Sequence, residues 1–373
     1  MTAGVSTATR DLFLTSATPT LAGGAAMRTY GVVAALASER PVDLVYKEFG
    51  AREPAPEYAA LERLEIRRLT ASRGWRRALA YGRSRARGVP SDLARGVTPE
   101  LIAAAEDVPA ETRIIADGPV TAAALLPLAR RRELVYLAHN VESGFHQTLG
   151  RGNLPRFERT VLRTYAECWM ATRSDERAAR ALAGRELRTR YVPNVVDVSL
   201  IAPVQPPGEG RALFVADFTY RPNREALAYL VEEVLPLVWQ RRPDLRLSVV
   251  GRGLAEPPGD NRVEAPGFVE ELRSAYASAD LAVVPLLHGG GSPLKFIEAL
   301  AYGLPVVATE HAARLIEDGE PGTHFLSAGG PQEFAEAIER LLNEPPLGAV
   351  LAAAGRELVE ASYSTQVLAR LLA

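Results

Sequence analysis

The stretch LLHGGGSPLKFIEALAYGLPVVAT, residues 286–309, decides how this chain is read. An apolar run, DLAVVPL (280–286), precedes it, and its own end opens a second run, PVVATE (305–310). Strand, glycine-rich turn, helix and strand form the unit from which doubly wound parallel sheets are built. Such a turn offers backbone N–H groups and the positive end of a helix dipole to an anion. The glycines at 289–291 let the backbone approach a phosphate closely, and Pro293 suits a first helical turn. Lys295 is one of two lysines, with Lys47, among 43 Lys and Arg residues. In the first turn it reaches the same anion as a compact point charge. Glu298, three residues on, shares its helix face and can accept hydrogen bonds from sugar hydroxyls, as acidic residues of dinucleotide-binding folds do from ribose. Lys295 and Glu298 alone would read as an ordinary ion pair at a helix start. The glycines and the strand before them turn the reading toward a nucleotide.

Outward from this stretch the same alternation continues. DLFLTS (11–16), VDLVYKE (42–48), RIIADG (113–118), ELVYLAHN (133–140), CWMAT (168–172) and TRYVPN (189–194) are predicted strands, and the loop ATPTLAGG leads into a helix over 25–38. The run APVQPPGEGR (202–211) is rich in Pro and Gly and reads as a linker. The alternation then restarts with RALFVAD, a helix carrying Pro222 near its start, LRLSVVG, DLAVVPL, PVVATE and HFLSA. The expected fold is α/β: two Rossmann-like doubly wound domains, residues 1–200 and 201–356, facing a cleft, with the helix at 357–373 returning to the first.

Hydrophobic content of 47% and charged content of 24% fit a globular chain, and 373 residues suit two domains. A net charge of −2 gives no bulk attraction for polyanions, so nucleic acid is not an expected partner. The single Cys168 excludes an intrachain disulfide, and no Cys/His spacing suits zinc. No signal peptide or membrane span is visible, so a cytoplasmic location is expected, with peripheral contact at the membrane inner face as a further expectation. The latter rests on residues 63–87, which carry nine arginines and stand outside the alternation. They read as a solvated helical face or as a patch for an anionic acceptor or membrane.

The second half, over residues 189–345, resembles glycosyltransferase family 4, retaining enzymes of the two-Rossmann (GT-B) fold. The blocks RALFVADFTYRPNREALAYLVEEVLPLVWQRRPDLRLSVVG, APGFVEELRSAYASADLAVVPL and GGGSPLKFIEALAYGLPVVAT carry the likeness in order. LAGGAAMRTYGVVAALA and YLAHNVES match more weakly in the first half. The resemblance implies that Lys295 holds the donor diphosphate and Glu298 the ribose. Gly290, Gly291, Ser292 and Leu294 would line the phosphates or sugar, and Val269 would lie beside the base. His139 would sit near the transferred sugar, and Gly23 and Gly24 would approach from the other domain. Asn140 and Glu142 are weaker acceptor-side candidates; His146 and His288 are possible neighbours of the cleft, and His311 and His324 have no such placement. Two departures stand out. Many members carry a Glu where this chain has Gly290, and an Arg and a Lys-Gly pair where it has YRPNREAL, so Arg221, Asn223 and Arg224 become the candidates there, Asn223 matching a PN variant.

The implied reaction moves a sugar from a nucleotide sugar, a UDP- or GDP-sugar, to an acceptor hydroxyl with retention. No metal or other cofactor is expected. The acceptor stays open among a glycan, a lipid-linked sugar and a small natural product. Three rivals remain: a non-catalytic or pseudo-glycosyltransferase binder, a sugar-nucleotide epimerase, and a nicotinamide dehydrogenase. The last is disfavoured because VVGRGLAEP puts Glu256 at the third glycine position.

Overall fold

The computed structural model describes residues 10–21, 23–47, 53–70, 72, 74–141, 153–254, 259–269, 271–289 and 293–373. Its backbone contacts divide the chain into two compact units, Met1–Asn194 with Leu368–Ala373, and Val195–Val367. The proline-rich run at 202–211 lies inside the second unit, where Val204 N–H donates to the Tyr302 carbonyl at 2.8 Å and Arg356 to the carbonyl of Ile201 at 2.8 Å.

Among the described residues the first unit holds seven strands: β1 (Asp11–Thr15), β2 (Val42–Lys47), β3 (Leu64–Leu69), β4 (Arg113–Asp117), β5 (Val135–Leu137), β6 (Glu167–Met170) and β7 (Thr189–Tyr191). They lie in the order β3-β2-β1-β4-β5-β6-β7, all parallel. β1 is buried along its whole length, the mark of a central parallel strand covered on both faces. Its polar first residue, Asp11, is buried because Arg113 donates to it from β4 at 2.9 and 2.5 Å. The helix Gly24–Glu39 follows and stops at Arg40, whose extended backbone suits the residue before a proline, Pro41.

The arginine-rich segment is not an exception to the alternation. It is the edge strand β3 followed by the helix Trp75–Ala86. β3 reads LEIRRL and is open to solvent at most positions, so it lacks the apolar run that announces a covered strand.

The second unit holds β8 (Arg211–Val215), β9 (Arg246–Val250), β10 (Val263–Gly267), β11 (Leu281–Val284), β12 (Val306–Thr309) and β13 (Leu326–Ala328), ordered β10-β9-β8-β11-β12-β13 and all parallel. This repeats the 3-2-1-4-5-6 order of a dinucleotide-binding sheet. The helix predicted after Pro222 runs Arg221–Tyr229, widens to a π-turn at Leu230–Val234 and resumes as Leu235–Arg241. Pro236 sits just past the widening and has no N–H for the carbonyl four residues back. In each sheet the strand order reverses between the first strand and its fourth, β1/β4 and β8/β11. The loops leaving those pairs are where an α/β sheet builds its sites.

Candidate active site

In the second unit the loop after β8 carries Asp217 as its second residue. Its Oδ1 accepts from the Thr219 N–H at 3.0 Å and hydroxyl at 2.6 Å, and its Oδ2 from Arg252 at 2.9 and 2.6 Å. Partial burial pulls the Asp217 carboxyl up, but Arg252 and Thr219 outweigh it and leave it below the ordinary carboxylate value. Gly251 is required where β9 passes this loop, since a Cβ there would meet the Ala216 carbonyl oxygen at 1.7 Å. The Asp217 carbonyl accepts from Asn223 Nδ2 at 2.7 Å, which fixes the Asn223 amide. Its Oδ1 then faces Lys295 Nζ and accepts from it. The aromatic face of Phe214, buried on β8, lies 5.6 Å from the same ammonium. Asn223 and Lys295 are 72 positions apart in sequence; the helix Leu294–Ala301 brings them together from β11.

Burial lowers Lys295 to about 7, against the charges of Asp217 and Glu298. Burial likewise raises Glu298 to about 7, against Lys295. Among the described residues none donates a hydrogen bond to the Glu298 carboxylate. Tyr276 and Tyr302 stack 4.3 Å apart beside it. Burial and then the Glu298 charge push the Tyr276 hydroxyl well up. The unit thus holds a cation and a carboxyl group, both at the edge of their charged state and both lacking full compensation. A polyanion with hydroxyl groups would supply it.

The other predicted residues of this unit divide. Arg224 Nη1 donates to the carbonyls of Phe218 and Thr219 at 2.7 and 2.9 Å, and exposed Arg221 pairs with Glu225 at 2.7 Å, a carboxylate that also meets His288 at 2.5 Å. Val269 is half-buried against the core beside the exposed Phe268. Leu294 opens the Lys295 helix. Gly290, Gly291 and Ser292 lie outside the described residues, as do Glu142 and His146. His311, given no role from sequence, has its Nε2 3.0 Å from the Gly289 carbonyl, and the Thr309 hydroxyl donates to the Leu286 carbonyl. Thr309 ends β12 and His311 lies in the short helix Glu310–Ala313 after it, and they hold Leu286 and Gly289, which lead into the glycine-rich turn. No local motif marks them.

In the first unit His139 follows β5, and its Nε2 lies 2.7 Å from Oδ1 of Asp117 at the end of β4. Asp117 is buried, and its Oδ2 accepts from the Thr29 hydroxyl at 2.9 Å. Asp117 was not singled out in sequence. Its place at the end of a strand next to the one that carries His139 was the available signal. Arg28, buried one residue before Thr29, donates to the carbonyls of Ala138 at 3.1 Å and Val192 at 2.7 Å and to Asn194 Oδ1 at 3.1 Å. Burial pulls its guanidinium down to about 10 against the charges of Asp175 and Asp117. Gly23 takes φ +98° at the start of the helix Gly24–Glu39, and a side chain at Gly24 would meet nothing within 4 Å. Asn140 is half-buried beside His139. Among the described residues no group of three His, Cys, Asp or Glu side chains is placed to hold a metal, and no helix is long and apolar enough to cross a membrane.

Residues 209–344 match the family described as Glycosyl transferases group 1. A phosphatidyl-myo-inositol mannosyltransferase of Mycobacterium leprae is 34% identical over 163 residues, 40% of this chain and 42% of that protein, so this chain spans less than half the length of that curated relative in the match. Sucrose-phosphate synthase from Thermosynechococcus elongatus superposes with a TM-score of 0.74 over 98% of this chain and 97% of its own, at 20% identity. Anabaena Alr3699/HepE, solved in complex with UDP and glucose, gives 0.72 over 98% of both chains at 16% identity. These likenesses establish the architecture as the two-Rossmann GT-B fold.

Proposed function

We propose, from the match of residues 209–344 to the glycosyl transferases group 1, that the chain transfers a sugar from a nucleotide sugar to an acceptor hydroxyl. The carrying observation is the Lys295 ammonium, held by Asn223 over Phe214 at the β8/β11 switch point, with Glu298 on the same helix. The diphosphate of the donor leaves as negative charge grows on it. Lys295 meets that charge, and a donor so placed supplies roughly 2.7–4 kcal/mol of barrier lowering. Glu298 takes the ribose hydroxyls. Val269 serves the base, and the amides around Gly290, Gly291 and Ser292, with Leu294, serve the phosphates or sugar.

In the first unit His139 serves the transferred sugar. Gly23, Gly24 and Asn140 serve its surroundings. We read the transfer as retaining, with the acceptor hydroxyl attacking on the leaving-group side and the departing phosphate oxygen taking its proton. This needs no nucleophile and acid pair of carboxylates. We also read it as independent of a divalent ion, Lys295 carrying the charge. The Anabaena complex with UDP and glucose supports a UDP-sugar, and the mannosyltransferase relatives, one of them (from Corynebacterium glutamicum) GDP-mannose-dependent, support a mannosyl donor, so UDP-glucose and GDP-mannose are the first donors to try.

The relative's phosphatidyl-myo-inositol acceptor supports a lipid-linked one here. So does the helix Trp75–Ala86, where Trp75 is 71% and Leu79 44% exposed one turn apart, among Arg76, Arg77, Arg83 and Arg85. That face suits peripheral contact with an anionic membrane. Release of nucleoside diphosphate from UDP-glucose or GDP-mannose, stimulated by phosphatidylinositol vesicles and unchanged by EDTA, is the expected result. Binding of nucleotide without turnover of either donor would instead make the chain a non-catalytic binder.

A further inference from the structure

The Asp117–His139 pair lies outside the residues matched by the family, and its geometry says which way the imidazole works. Asp117 is buried, and both its oxygens are engaged, one by the Thr29 hydroxyl and one by His139 Nε2. An ionised carboxylate only accepts, so the nitrogen facing it carries the proton. In the neutral ring Nδ1 then carries the lone pair. No described residue engages Nδ1, and the side chain is 19% exposed. The surroundings keep that arrangement in place. Arg28 holds the Ala138 carbonyl, one residue before the ring, and brings its positive charge near Asp117. Gly118 takes φ +71°, and a Cβ there would meet the imidazole at 3.6 Å, so this left-handed glycine packs beside the ring. A histidine that only filled space would not need a buried carboxylate, itself held by a hydroxyl, facing its Nε2.

We infer that Asp117 is a positioning residue that locks His139 as the Nε2–H tautomer and so presents Nδ1 as a hydrogen-bond acceptor for a substrate hydroxyl. This rests on the transferase reading for the identity of the hydroxyl, on the sugar or the acceptor, and on the pair's own geometry for the tautomer. Without the carboxylate the ring is free to turn Nδ1–H outward. It would then offer a donor to a hydroxyl oxygen instead of accepting from the hydroxyl.

Two-bond proton–nitrogen correlation spectra of the full chain, with His139 assigned by its loss in His139→Gln, test this directly. The wild type should show Nε2 protonated, with a slowly exchanging proton, and Nδ1 bare. Asp117→Ala should lose that slow proton. Turnover of UDP-glucose or GDP-mannose should fall on the order of 10²-fold or more in Asp117→Ala with donor KM unchanged. Asp117→Asn keeps the volume and should show the same fall if the alanine variant does not fold. An Nδ1–H ring in the wild type, a slow proton indifferent to Asp117, or turnover within twofold of wild type in both folded variants would overturn the inference. If the wild type turns over neither donor, the transferase reading fails, while the spectra still decide the tautomer.

Discussion

The two units share a strand order and differ in what they place at the point where it reverses. At β8/β11 stands a lysine that burial has brought to the edge of its charge, held by an amide oxygen and an aromatic face. At β1/β4 stands a carboxylate satisfied twice over, with an imidazole resting on it. In the first site burial outweighs the nearby charges of Asp217 and Glu298, and a phosphate ligand would offset it. The second is compensated internally, and its exposed edge is a single ring. On the proposed reading the same scaffold builds an anion receptor in one unit and an oriented polar group in the other, because the loops and not the sheet carry the chemistry.

The comparison can be broken at its glycines first. Gly251→Ala in the second unit drives a Cβ into the Ala216 carbonyl at φ +147° and should cost more than about 3 kcal/mol in urea unfolding. Gly118→Ala in the first unit meets only ordinary contact with His139 at φ +71° and should cost about 1–2 kcal/mol while depressing turnover. Equal costs would mean that the loop after β8 does not depend on close backbone approach. Asn223→Ala should weaken nucleoside diphosphate binding by roughly tenfold, about 1.4 kcal/mol, measured by calorimetry, because Lys295 loses the acceptor that aims it. No change would place Asn223 among residues that only support the loop.

The pH dependence should sharpen the contrast further. Lys295 loses its proton through about 7 in the free protein, and a bound diphosphate favours the ammonium. Binding above that value must therefore take up a proton. Affinity should fall by up to about tenfold per pH unit above pH 7, until the pKa of the bound form is reached. Lys295→Arg stays charged and should flatten that decline. A decline that persists in the variant would assign the titration to another group.

Much of the fold was legible because covered parallel strands are continuous apolar runs. DLFLT, RALFV and LAVV announce themselves. LEIRRL did not, since an edge strand open to water has no apolar face to display, and VEAPG did not, since Pro266 and Gly267 read as a turn. Of the candidate sites, the GGGSPLK block and His139 were visible as local patterns at strand ends. What joins them to their partners was not. Lys295 to Asn223, His139 to Asp117 and His311 to Gly289 are contacts between separate strand ends, and they follow from strand order rather than from spacing. Nor does composition reveal that Arg224 Nη1 donates to the carbonyls of its own loop, Phe218 and Thr219.

Calorimetric titration of wild type and Lys295→Ala with uridine, guanosine, thymidine and adenosine diphosphates tests the central claim most directly. The account predicts selective binding of one member, weakened about 30-fold or more in the variant. No binding by any member, or equal binding in the variant, would contradict it.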